Sequence, residues 1–243
     1  MNALTAQTRT ELTLSLRNGE QVLVSLAIPL LLLVFFSLVD VLPLPDGVDE
    51  AVAFLTPGVL ALAVMSSAMV SLGIGTGFER QYGVLKRLGS TPLGRGRWVA
   101  AKIAMVLALL VLQVLALVVA ALLLGWSPGG TPPLAVPAIV LGAAAFGGIG
   151  LLMAGTLKGT VTLAAANGLY LVLLLLGGMV VPLTELPGPL AAFGGALPSG
   201  ALSEVLQSCL RDGAPSAGSS WVVLGVWAVL APAAAVRWFR WEA

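Results

Sequence analysis

The chain has 243 residues, of which 58% are hydrophobic and only 9% charged. A soluble domain carries about 25% charged residues, so the main solvent of this chain is lipid rather than water. It has a net charge of +1, no histidine and one cysteine, Cys209, which excludes His-ligated metals and haem, His-based proton relays and triads, and any intrachain disulfide.

A helix needs about 20 apolar residues to cross about 30 Å of hydrocarbon. Six such spans with their connections use up the 243 residues and leave no room for a soluble catalytic domain. A transmembrane barrel would show short segments of alternating polarity. Here the apolar runs are nearly continuous, as in 105–124, which only Gln113 interrupts. The expected fold is therefore an all-α integral membrane protein, a single transmembrane domain over 1–243. Its spans are expected near 22–41, 54–76, 99–124, 134–157, 161–181 and 221–239.

The segment ahead of the first span is polar and too long to begin a cleaved signal, so that span is read as retained. Leu12 and Leu16, with Arg9 and Glu20 elsewhere on the turn, make residues 4–20 an interfacial amphipathic helix or, on the blander reading, a polar terminus. Pro29, Pro57, Pro137 and Pro232 fall in or near spans, where each is a candidate kink.

Charge sets the orientation. Arg9, Arg17, Arg80, Lys86, Arg87, Arg95, Arg97, Lys102, Lys158, Arg237 and Arg240 all fall on one side of a six-span arrangement, and Arg211 alone falls on the other. Basic residues stay inside, so both termini are expected in the cytoplasm. Asp40, Asp46, Asp49, Glu50, Glu185, Glu204 and Asp212 fall outside, and Glu11, Glu20, Glu79 and Glu242 inside.

Span four is crowded with small residues between Gly142 and Gly150, a composition that lets helix backbones approach closely in lipid. Gly73, Gly75 and Gly77 end span two; they follow a membrane span rather than a strand and are not a phosphate loop. Residues 182–220 hold Leu186-Pro187, an apolar run over 191–197, Pro198-Ser199 and a helical stretch over 201–210. The run is too short to span. It reads as re-entrant or interfacial helices, or as a packed external loop.

No convergent set of polar groups suggests hydrolytic or redox catalysis. No charge lies mid-span, which argues against ion-coupled transport. Gln113 and Asn167 are the conspicuous mid-span polar groups. Each is expected to hydrogen-bond a neighbouring helix, with contact to a substrate as the alternative. A transporter with so little charge draws its energy from a cytoplasmic partner, and the one large cytoplasmic loop runs from Glu79 to Lys102.

Glu79-Arg80-Gln81-Tyr82-Gly83, Leu85-Lys86-Arg87-Leu88 and Thr91-Pro92-Leu93 resemble the cytoplasmic loop of type-2 ABC exporter permeases, closest to the daunorubicin-exporter-like branch. Pro57-Gly58, the stretch 177–182, Leu186-Pro187 and Leu197-Pro198-Ser199 continue the resemblance in order. The short loop around Lys158 departs from it. The resemblance implies that the loop is a coupling helix resting on an ATPase subunit. It implies a pair of permease chains, identical or related, with two ABC ATPase subunits. It also implies ATP and Mg on those partners and an outer re-entrant segment that includes Leu186, Pro187, Leu197, Pro198 and Ser199; because its apolar run is too short to span, that segment is expected to act as an external lid, and no cofactor, metal or nucleic acid is expected on this chain. The alternative for the loop is positive-inside charge and attraction to anionic lipid. A short helix over 82–88 would gather Val84, Leu85 and Leu88 near one face for docking, with Lys86 and Arg87 pointing elsewhere. Gly83 would permit a turn, and Pro92 would end the helix by Thr91. Glu79 or Arg80 would pair with the amino-terminal segment. The expected function is export of a hydrophobic or amphipathic substrate; the rivals are a non-transporting scaffold and an ion-coupled carrier.

Overall fold

The computed structural model describes residues 3–17, 19–39, 50–89, 94–179 and 182–241. Among these residues there is no strand, and the fold is helical throughout. The helices are α1 (Ala3–Arg17), α2 (Gly19–Leu38), α3 (Ala51–Met65), α4 (Leu72–Gln81), α5 (Val84–Gly89), α6 (Arg95–Leu123), α7 (Ala135–Thr156), α8 (Gly159–Leu176), α9 (Gly188–Ala196), α10 (Pro198–Leu210) and α11 (Gly218–Trp238). A π-helical segment, Ser66–Ser71, joins α3 to α4 without a break.

Among the described residues, five helical stretches are long and apolar enough to cross a membrane: Ala51–Gln81, Arg95–Leu123, Pro132–Thr156, Gly159–Leu176 and Gly218–Trp238. The shorter apolar stretch Ser25–Leu38 lies within α2. Six apolar helices thus stand where six spans were expected. The second runs to Gln81, past the expected end at 76, which carries Glu79 and Arg80 on the membrane helix itself. The fifth stops at Leu176, short of 181. Gly177 caps it and Gly178 follows with φ +64, a left-handed conformation that glycine adopts without strain.

The core lies around α3, in which every residue from Phe54 to Met65 is buried. A helix apolar all round is one enclosed by others. By contrast, α6 leaves Val111, Leu115, Val119 and Leu122 exposed on one side, the side expected to meet lipid. The small residues of α7 act as the sequence implies. A Cβ on Gly148 would fall 2.3 Å from the backbone nitrogen of Pro232, and one on Gly150 would fall 2.6 Å from the carbonyl oxygen of Met69. Only glycine lets α11 and the π-helical segment lie this close to α7. Pro29, Pro57 and Pro232 are inside helices. Pro137 sits in the first turn of α7, where its missing N–H has no intrahelical partner to lose.

Between α8 and α11 the chain forms α9 and α10, of 9 and 13 residues, neither long enough to span. The two differ in burial. α9 exposes Leu190 and Phe193, whereas α10 buries Ala201, Leu202, Val205, Leu206 and Cys209 in the core. α1 is helical as expected and packs Leu12 against the core, but the rest of its buried face differs from the expected one. Leu16 is exposed and Glu11 is buried, because Glu11 has a cationic partner inside the fold.

Candidate functional site: the loop after the second span and the polar network beneath it

The end of the second span is built from its last two turns. Tyr82 caps α4, its N–H donating to the carbonyl of Phe78 at 2.9 Å, and the Gly83 N–H donates to the carbonyl of Arg80 at 3.0 Å. Gly83 has φ +75. This left-handed glycine ends the helix and lets the chain restart at once as α5, so the tight turn expected of Gly83 is present.

The loop residues then divide by burial. Tyr82 is 74% exposed and Val84 48%, and their neighbours Lys86 and Arg87 are exposed too. The Phe78 and Tyr82 rings stack with centroids 6.1 Å apart. Leu85 is fully buried within its own chain. This corrects the docking face expected from spacing: Val84 and Leu85 do not share a face, and Leu85 anchors the loop instead of projecting from it. Leu88 lies in α5. Thr91 and Pro92 are outside the described residues, as are Ser90, Asp40, Asp46 and Asp49.

Glu79 and Arg80 are held by the fold. The Nη1 of Arg80 donates to the carbonyls of Ala154 at 3.1 Å and Leu157 at 2.8 Å, satisfying carbonyls at the C-terminal end of α7 that no helical N–H reaches. Glu79 meets Lys102 of α6, whose Nζ lies 2.8 Å from Oε2 and 2.9 Å from Oε1. The same Nζ donates to Oε2 of Glu11 in α1 at 2.7 Å. The expected tie between the end of span two and the amino-terminal segment exists, but it runs through Lys102, since both ends are acids. Lys102 is 1% exposed, so the ammonium is supported by two carboxylates and by the Trp98 ring, 5.8 Å from its centroid.

Trp98 leads to a second structure that spacing did not reveal. Its ring packs on Phe239 and Trp241, with centroids 4.6 Å and 5.3 Å away. The Arg240 N–H donates to the carbonyl of Gly155 at 3.1 Å. The chain segment after α11 therefore closes over the start of α6 and the end of α7. The sequence signal was present in Trp98 and Lys102, four apart on one helix face, but Lys102 reads there as one more positive-inside charge.

Gln113 lies deeper. It is buried, its Oε1 accepting from Ser67 of the π-helical segment at 2.7 Å and its Nε2 donating to Ser25 of α2 at 2.9 Å. It joins neighbouring helices, as expected of a mid-span amide. Glu11, Ser25, Ser67, Glu79, Lys102 and Gln113 all border one cavity of about 300 Å3 inside the protomer. Asn167 is not brought to it. The Asn167 side chain is exposed on α8 and donates to the carbonyl of Leu163 on its own helix at 2.9 Å, not to a neighbour. Of the outer group, Ser199 and Pro198 are buried in α10, Leu186 and Leu197 are half-buried, and Pro187 is exposed.

Among the described residues, six apolar helices, one of them continuous into a capped turn, and a polar network buried beside that turn define a multi-pass membrane protein. Residues 2–208 match the family described as ABC-2 type transporter. The chain belongs to the ABC-2 type transporter family and is a membrane transport permease. It is also 28% identical over 224 residues to a Bacillus subtilis (strain 168) protein named "Putative transport permease YvfS", with 89% of each chain covered.

Proposed function

We propose that this chain is the membrane-spanning subunit of an ATP-driven exporter. Two permease chains, alike or related, would assemble with two ABC ATPase subunits that hold ATP and Mg. The reading places the complex in the plasma membrane with both termini cytoplasmic. The observation that carries it is the loop at Tyr82–Gly83. One helix runs unbroken from the centre of the core to a rigidly capped turn, and the turn presents Tyr82 and Val84 outward while Leu85 fixes it from within. A push on that turn acts on the whole second span, which is what coupling to a motor subunit requires.

Two further features support the reading. Asn167 is exposed on α8, next to Val161, Leu163 and Leu171 on the same largely exposed helix. A polar amide facing hydrocarbon is unfavourable, so a second permease chain covering α8 accounts for it. The cargo is read as hydrophobic or amphipathic, a drug, antibiotic or lipid, since the walls available to line a path between protomers are aliphatic. α9 and the turn at Pro187 would form the movable part of an outer lid, with the buried α10 as its base. The reading is tested in inside-out membrane vesicles. It requires uptake of an amphipathic dye that depends on Mg-ATP and stops with a non-hydrolysable analogue. Uptake that follows an imposed ion gradient without ATP would replace it with a carrier.

A further inference from the structure

Arg211 caps the C-terminal end of α10 and is the one basic residue expected on the outer side of the six-span arrangement. Positive-inside topology does not account for a cation there. Glu204, Gln207 and Arg211 are spaced i, i+3 and i+7, which sets them along one face of the helix. That face lines a cavity of about 480 Å3 closed by Phe54, Pro182 and the segment 213–220.

The polar atoms in this cavity are incompletely satisfied. Among the described residues, neither Nη1 of Arg211 nor Oε1 of Gln207 has a hydrogen-bond partner, although both atoms are buried. The Gln207 amide is held by its other end, with Nε2 donating to the carbonyl of Phe54 at 2.9 Å. Glu204 engages Ser220, whose Oγ donates to Oε2 at 2.5 Å. Asp212, next to Arg211 in sequence, is turned elsewhere and accepts from the Gly130 N–H at 2.7 Å. Burial lowers the Arg211 pKa from the ordinary arginine value, the direction of a cation short of solvent and partners.

The donor and acceptor without partners belong to residues that line one cavity, and a ligand seated there, with a small turn of the Arg211 and Gln207 side chains toward it, would supply both missing partners. A guanidinium matches an oxyanion, phosphate above all. A bare anion would also meet the Glu204 carboxylate, whereas a ligand with an ammonium at its other end would be attracted to it. We propose that this outer cavity binds a zwitterionic amino-phosphate, its phosphate on Arg211 and its primary ammonium on Glu204 and the Gln207 Oε1. The ammonium must carry N–H groups, since both acceptors need donors; a trimethylammonium offers none. The proposal goes beyond the exporter reading and does not depend on it. The shared chemistry is phosphoethanolamine, present both as a lipid headgroup and as a free small molecule.

The test uses the full chain purified in detergent and titrated with dihexanoyl phosphatidylethanolamine, dihexanoyl phosphatidylcholine and soluble glycerophosphoethanolamine. The ethanolamine lipid should bind at least tenfold more tightly than the choline lipid. Arg211→Gln should weaken it tenfold or more, and Arg211→Lys, which keeps the charge but not the fork, should fall between. Glu204→Gln should narrow the ethanolamine-over-choline preference, which keeps the proposal open to test even if Arg211→Gln does not fold. Equal binding of glycerophosphoethanolamine assigns the site to a soluble ligand, and binding of the lipid alone assigns it to the membrane; either supports the chemistry. Equal affinity for the two lipids, or an unchanged affinity in Arg211→Gln, overturns it.

Discussion

Lys102, in the second turn of α6, places its Nζ 2.8 Å from Oε2 of Glu79 in the last turns of α4. Glu11 of α1 shares the same ammonium at 2.7 Å. One buried cation thus ties the amino-terminal helix to the helix that leads into the Tyr82–Gly83 turn. Removing one member of a buried ionic group leaves the others uncompensated, at a cost of about 3–5 kcal/mol. Glu79 is a third exposed, so the lower end of that range applies. Lys102→Met should lower the thermal unfolding midpoint of the purified chain by several degrees. Adding Glu11→Gln and Glu79→Gln should recover much of the loss. A triple variant no better than the single would show that the network does not act as a unit.

Close packing at Gly148 yields a contrast between two glycines. Gly148→Ala drives a Cβ into the backbone at Pro232, and backbone cannot move aside as a side-chain tip can. Overpacking of this kind costs about 1–3 kcal/mol or more. Gly225→Ala on α11 meets open space within 4 Å and should be neutral or slightly stabilising, since alanine favours a helix by about 1 kcal/mol over glycine. Detergent-extracted yield and melting point measure both. Equal behaviour of the two variants would contradict the packing of α7 on α11.

Much of this could be read from the residues, and the parts that could not have physical reasons. Span positions follow from apolar run length, which one sequence states plainly. The close approach at α7 follows from Gly142–Gly150 composition, although nothing in a run of small residues names Pro232 as the partner. Spacing groups Leu85 with Val84 and Leu88, whereas the fold buries it, because a six-residue helix has too few positions for spacing to say which side faces its own core. Lys102 was counted as topology because a charge near a span end satisfies the positive-inside rule whether it is paired or free. Only the positions of Glu11 and Glu79, 91 and 23 residues away in sequence, distinguish the two.

The single thiol provides a further check. Cys209 is buried in α10, and burial raises its pKa above the ordinary cysteine value. The thiolate is the reactive form, so a raised pKa means less of it at any given pH below the shifted value. Maleimide labelling of the native chain at pH 7 should therefore be slow, rise with pH, and become complete on denaturation. Fast labelling of the native chain at pH 7 would place Cys209 at the surface.

Sidedness is tested on a Cys209→Ser background. Ser90→Cys should resist a membrane-impermeant thiol reagent applied to intact cells and react after the cells are opened, because the loop carries the positive-inside charge. Labelling in intact cells would invert the orientation.

Coupling through the loop is the central claim, and its most direct measurement is retention of an ABC ATPase subunit on the affinity-purified chain. Among the described residues of the loop, Tyr82 and Val84 are the exposed apolar groups, and burying each against a partner contributes about 1.5–3 kcal/mol. Exposed ion pairs from Lys86 and Arg87 contribute about 0–1 kcal/mol. The account predicts that the native chain retains the ATPase subunit, and that Tyr82→Ala with Val84→Asp loses it at an unchanged melting point. Lys86→Glu with Arg87→Glu should weaken retention less. Leu85→Ala should instead lower the melting point, as a core truncation does, by about 2–5 kcal/mol of stability. An undiminished ATPase subunit on the Tyr82→Ala, Val84→Asp chain, with export intact, would contradict the account.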